Sequence, residues 1–421
     1  MGMNRRALVI ALLLACVASA AFVGWGVLSG RRAAAMVVEA EALLTTPLSQ
    51  APTVDRLHAS AALSLLERAA TATNDDRRVR GLESWARSLT HLQRGDLVFA
   101  LDELTEARHR LGWTADLHVV AGEIARRKTD ALEAEEHAQA ALALDGDHPR
   151  ALLLSADLAL DAGDAATARA HLARLLRTCP DVAAVHNRMA LALEATGDEP
   201  GAETEVLEAI RLDRRDADPH INLGRLLARR GDHGEARRAF DQAVTLRPTD
   251  PDAFLGRGLA SAALADAPAA EADLRRAARL APNDAEPLLA LGDLARDLGR
   301  IDGAIALYRQ ALDREDADAA AWLKLGNALV IAGDPGSAVA AFDEAVRRAP
   351  RLGAAHNGRG AALMQLARDD EAALALELAA DLDDADPNPL LNLALLSDRR
   401  GDGAEAEDLR RQAAVRGAPP G

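Results

Sequence analysis

Few residues of this chain have types and spacing that could do chemistry. The most conspicuous are three Arg-Gly-Asp tripeptides, at Arg94-Gly95-Asp96, Arg230-Gly231-Asp232 and Arg400-Gly401-Asp402. On an exposed loop that tripeptide would offer a cation and a carboxylate to an integrin-type adhesion receptor. Eleven histidines could ligate a metal or move protons. Ligation needs two or three of them to converge, yet His118, His186, His220 and His356 recur at multiples of a single spacing. Glu135-Glu136-His137 reads as a solvated helix face. GRLLARRG (224–231) spaces its glycines like a phosphate-binding loop, but no Lys-Ser/Thr follows them. The chain has no HExxH, GxSxG or CxxC, and Cys16 and Cys179 form no metal spacing.

The spacing of the tripeptides says what they are. The numbers of Gly95 and Gly231 differ by 136 and those of Gly231 and Gly401 by 170, four and five times 34. An adhesion ligand has no reason to keep a period, whereas a period of about 34 is that of a helix–turn–helix repeat. With Gly231 set at position 15, repeats begin at 81, 115, 149, 183, 217, 251, 285, 319, 353 and 387, ten in phase over 81–420. Position 20 is alanine in all ten, position 27 in all but one (Leu175), and position 8 is always Gly, Ala or Ser. Small residues at 8 and 20 let two antiparallel helices approach, and larger ones at 4, 7, 11 and 24 fill the gaps between repeats. Gly at 15 suits a helix end with φ > 0. Aspartate at 16 suits a helix start, where its carboxylate can accept an orphan N–H bond. Arg-Gly-Asp is therefore expected to be helix punctuation. At position 4 the histidines are expected to fill an inter-helix gap.

The repeat at 217–250 resembles the tetratricopeptide repeat (TPR) family at Leu223-Gly224, Gly231, Ala236, Phe240, Ala243 and Pro248. The one at 319–352 does so at Trp322, Leu325-Gly326, Gly333, Ala338, Phe342, Ala345 and Pro350. The resemblance implies an all-α TPR solenoid, a right-handed superhelix of antiparallel helix pairs whose concave groove binds proteins or extended peptides. In the family that groove is lined by positions 2, 5, 6, 9, 12 and 13 of each first helix, which share one face. Here those positions carry Asp157, Asn187, Arg188, Asn222, Arg225, Arg229, Lys324, Asn327, Asn357 and Asn392, the candidate partner-binding residues. Leu153, Leu160, Leu289 and Leu323 add an apolar component. Asn and Arg can bond an extended backbone or a carboxylate. The family's carboxylate clamp for a free C-terminus is not among them.

Composition agrees with helix. Of the 421 residues 49% are hydrophobic and only 2% aromatic, with alanine prominent. A formal net charge of −16 argues against nucleic acid as a partner. No cofactor is expected, and no room remains outside the repeats for a catalytic domain.

Residues 7–30 contain no charge. As a helix they would reach about 36 Å, enough for a bilayer core of about 30 Å. Residues 1–32 are thus expected to be an uncleaved signal anchor. A cleavable signal peptide ending at Ala18-Ser19-Ala20 and a lipoprotein signal at Leu13-Leu14-Ala15-Cys16 are the alternatives. Arginine pairs on both flanks leave orientation to the amino terminus, which favours an outward-facing body; the reverse topology is the alternative. Residues 33–80 are expected to be a helical stalk and an N-terminal capping helix.

The expected protein is non-catalytic: a single-pass inner-membrane scaffold with its repeats on the outer, periplasmic side. It would recruit proteins of a cell-envelope assembly, secretion or maturation system. The alternative is an accessory subunit of polysaccharide or glycan synthesis or export, against which the low aromatic content weighs.

Overall fold

The computed structural model describes residues 31–46, 58–71, 76–314 and 318–417. The apolar segment 7–30 and the linker around Pro47 lie outside them. Among the described residues every regular element is an α-helix, and none is long and apolar enough to cross a membrane. The chain forms two compact bodies, Met1–Asn222 and Leu223–Gly421.

The helices keep the period read from the sequence. First helices run Ala115–Arg127, Pro149–Asp161 and Ala183–Ala195 in the first body, and second helices Ala131–Leu144, Ala165–Thr178 and Glu199–Leu212. In the second body Pro251–Ala263, Glu286–Asp297, Ala319–Ile331 and Gly353–Gln365 alternate with Ala267–Leu280, Ile301–Leu312, Pro335–Arg348 and Asp369–Leu382. The first helix of repeat 81–114 starts early, as Arg77–Arg94.

Each second helix buries one stripe. Positions 20 and 27, seven apart, lie on one side of a helix with position 24 between them. All ten residues at position 20, from Ala100 to Ala406, are completely buried, and so are all ten at position 27, Leu175 included. Position 24 carries the bulk: Phe240, Tyr308 and Phe342 are the largest fully buried side chains among the described residues.

Glycines make room for those rings. A Cβ on Gly224, at position 8 of the same repeat, would meet the Phe240 ring at 2.7 Å, and one on Gly256, at position 6 of the next, at 2.2 Å. Gly326 and Gly358 hold Phe342 in the same way. In repeat 115–148 the sizes are exchanged. Position 24 is Ala138, and Leu154, at position 6 of the following repeat, reaches to 2.7 Å from where a Gly122 Cβ would be. A large residue at either position fills the same gap.

Residues 31–44 form a helix with Ala33, Ala40 and Leu44 in the same apolar core as Leu82, Trp85 and Val119. The helix Ala59–Ala70 packs on Arg77–Arg94.

Candidate functional site

The first helices present positions 2, 5, 6, 9, 12 and 13 on one face, and the candidate residues on it are largely paired across successive repeats. In the first body Arg188 binds both Asp157 oxygens through Nε and Nη2, with Nη2 at 3.2 Å from Oδ2. Asn222 donates to Asn187 at 2.8 Å, with both side chains buried. In the second body Asn392 donates to Asn357 at 2.8 Å. Lys324 Nζ lies 2.6 Å from Asp293 Oδ2, whose other oxygen accepts the Tyr308 hydroxyl at 2.8 Å. Burial first, and then that bond, pushes the Tyr308 phenol far above its ordinary range.

These pairs obey two rules. A cation at position 6 meets an aspartate at position 9 of the repeat before, as in Asp157–Arg188 and Asp293–Lys324. An asparagine at 5 meets an asparagine at 6 of the repeat after, as in Asn187–Asn222 and Asn357–Asn392. Such ladders fix the rotamers of polar groups on the face while joining neighbouring helices. Asp293 was not singled out by reasoning on the sequence, which read Tyr308 only as bulk at position 24. The available signal was a constant sequence offset of 31 between an Asp at position 9 and a cation at position 6 of the next repeat.

Three candidates face water. Arg225 pairs with Asp252 at 2.9 Å, but each side chain is 52% exposed. Arg229 and Asn327 are exposed too. An incoming backbone or carboxylate can reach exposed side chains of these types.

The histidines have packing partners. His186 and His356 place Nε2 at 2.7 and 3.0 Å from the carbonyls of Pro180 and Pro350, which close the preceding repeats. His186 Nδ1 also meets Glu205 at 2.6 Å. His118 stacks on Trp113, with centroids 4.2 Å apart, and its Nδ1 lies 3.0 Å from Nδ1 of His137. His137 is thus half-buried in a ring cluster rather than on a solvated face, which Glu135 and Glu136 keep to themselves. Burial, followed by the neighbouring His137, pulls the His118 pKa down; burial does the same to His137 against Glu133 and Glu136.

At the turns, position 15 has positive φ in all ten repeats, at seven glycines and at Thr129, Ala265 and Ala367. Of the three Arg-Gly-Asp aspartates only Asp402 caps its helix, accepting from Glu405 N at 3.1 Å. Asp232 turns to Arg230 at 2.5 Å, and Asp96 lies 3.6 Å from His91.

A family model for the tetratricopeptide repeat matches residues 119–183, 153–219, 221–285, 289–352 and 324–388. Among solved structures the chain is similar to an APC/C hetero-tetramer, Cut9–Hcn1, at 17% identity and a TM-score of 0.49 over 85% of this chain and 84% of that one. It is similar to yeast Tom70 at 17% and 0.47, over 92% and 93%. A tetratricopeptide repeat protein from Parabacteroides merdae gives 19% and 0.48, over 59% and 99%. No curated protein matches the chain.

Proposed function

This chain belongs to the tetratricopeptide repeat family, and from that premise we propose that it is a non-catalytic scaffold whose first-helix face receives protein partners or extended peptides. The observation that carries the reading is the exposed polar surface at Arg225 and Asn327, set among polar pairs whose rotamers are already fixed. Preformed helices leave little ordering entropy to oppose association.

The finer reading adds a place and a process. Residues 7–30 would tether the scaffold to an inner membrane with its repeats on the outer side, and the partners would belong to envelope assembly, secretion or maturation. The long uncharged run supports the tether.

Photo-crosslinking from positions 225 and 327 in intact cells tests both parts. One dominant protein captured from both positions is the expected result, and its compartment gives the topology. Capture of abundant bystanders alone would remove the first-helix face as the working surface.

A further inference from the structure

The segment after the uncharged run lies against the repeats. In the helix 31–44 the buried residues Ala33, Ala40 and Leu44 fall seven and four residues apart, one stripe of an amphipathic helix. Val38, Glu39 and Ala42 on its other side are exposed.

Two polar contacts say where the segment runs. Arg78 Nη2 donates to both Glu41 oxygens, at 2.8 and 3.0 Å. Arg150 Nη2 donates to the Thr46 carbonyl at 2.5 Å. Arg78 is on the first helix of repeat 81–114 and Arg150 on that of repeat 149–182. Within six residues the segment therefore spans from the first repeat to the third, crossing the faces of their first helices instead of continuing their stack.

Burial at position 2 shows the consequence. Leu82 and Arg150, in the first and third repeats, are 2% and 8% exposed. The same position is exposed at Asp218, Asp252, Glu286, Ala320, Ala354 and Asn388. Asp116 and Ala184, in the second and fourth repeats, are half-buried, and residues 31–46 share the hydrophobic cluster of Leu82, Trp85, Val119 and Val120.

The contacts also define what the covered surface recognises. Small apolar residues at seven- and four-residue spacing are buried in one cluster with Leu82, Ala86 and Val120 of the first helices. A carboxylate beside the middle of the stripe meets Arg78, and Arg150 reads a main-chain carbonyl, which any peptide offers. We propose that the first-helix face of repeats 81–182 is a receptor for an amphipathic, Ala/Leu-striped helix bearing a carboxylate, occupied in cis by residues 31–46 and opened when a partner helix of that pattern displaces them. The displacement rests on the scaffold reading above; the occupancy in cis does not.

The test uses the full-length chain in detergent and, as probe, a fluorescent synthetic peptide of residues 31–46. Hydrogen exchange on the unmodified chain comes first. Amides of 36–45 should exchange at least ~10-fold more slowly than in the variant Ala40→Asp, which puts a charge into the buried stripe. The peptide should bind Ala40→Asp, and the milder variant Leu44→Ala, which weakens the segment and leaves its receptor intact, at least ~10-fold more tightly than the unmodified chain, whose site is already filled. Peptide carrying Ala40→Asp should bind none of them. Unprotected amides at 36–45 in the unmodified chain would overturn the proposal, as would equal peptide binding, or none, across all three chains. Slow exchange at 36–45 with no partner captured from positions 225 and 327 would remove the scaffold reading and leave the docked segment standing.

Discussion

Thr129, Ala265 and Ala367 have φ of 61°, 59° and 57°, where an L-residue is strained by about 1–2 kcal/mol and glycine is not. Glycine loosens the unfolded chain, which takes back part of the gain. Ala265→Gly and Ala367→Gly should each stabilise by about 0.5–1 kcal/mol, with the β-branched Thr129→Gly gaining most, as read by urea unfolding. Asp402→Ala should cost about 1 kcal/mol for its lost cap, whereas Asp96→Ala, with no cap bond to lose, should cost less. The facing imidazoles His118 and His137 make a pH dependence. Their folded pKa values lie below the unfolded one, so between the two values the unfolded chain binds more protons. Their contribution is complete above the unfolded value of about 6.5 and is lost as pH falls through the window beneath it. Amide protection in 115–148 should decline from about pH 7.5 to about pH 5.5, and His137→Gln should flatten that decline.

Between elements, one gap is filled from either side. Phe240 enters it from position 24 because Gly224 and Gly256 leave it open; Leu154 enters from position 6 where Ala138 leaves it empty. Gly256→Ala should therefore cost about 1–3 kcal/mol by overpacking the ring. Combining it with Phe240→Leu, the pairing that Leu274 and Ala290 already have, should recover part of the loss in a double-mutant cycle. Additive costs would mean that the ring and the glycine do not share the gap. Sequence reasoning assigned position 24 its bulk and position 8 its small residue. It did not tie position 24 to position 6 of the next repeat, because that contact joins two different repeats and depends on how their helix pairs stack.

Over the whole molecule, stability is a sum of repeats and the interfaces between neighbours. Ala236 is completely buried, so Ala236→Leu should cost about 1–3 kcal/mol. Hydrogen exchange should show that loss in the second body around 223–284 before it is felt at 353–417. Uniform loss would mean that the body unfolds as one unit.

The sequence by itself determined the all-α class, the repeat frame, the turn glycines and the buried alanines. Each follows from local periodicity, and ten in-phase copies made small preferences unmistakable. Only the tertiary structure decided that the polar candidates Asp157 and Arg188, or Asn357 and Asn392, face one another, and that residues 31–46 lie across the first three repeats. Those outcomes depend on contacts such as Thr46 with Arg150, 104 residues apart. A period states what each repeat contains; which side chains meet between repeats, and what covers them, is set by how the helices stack in space.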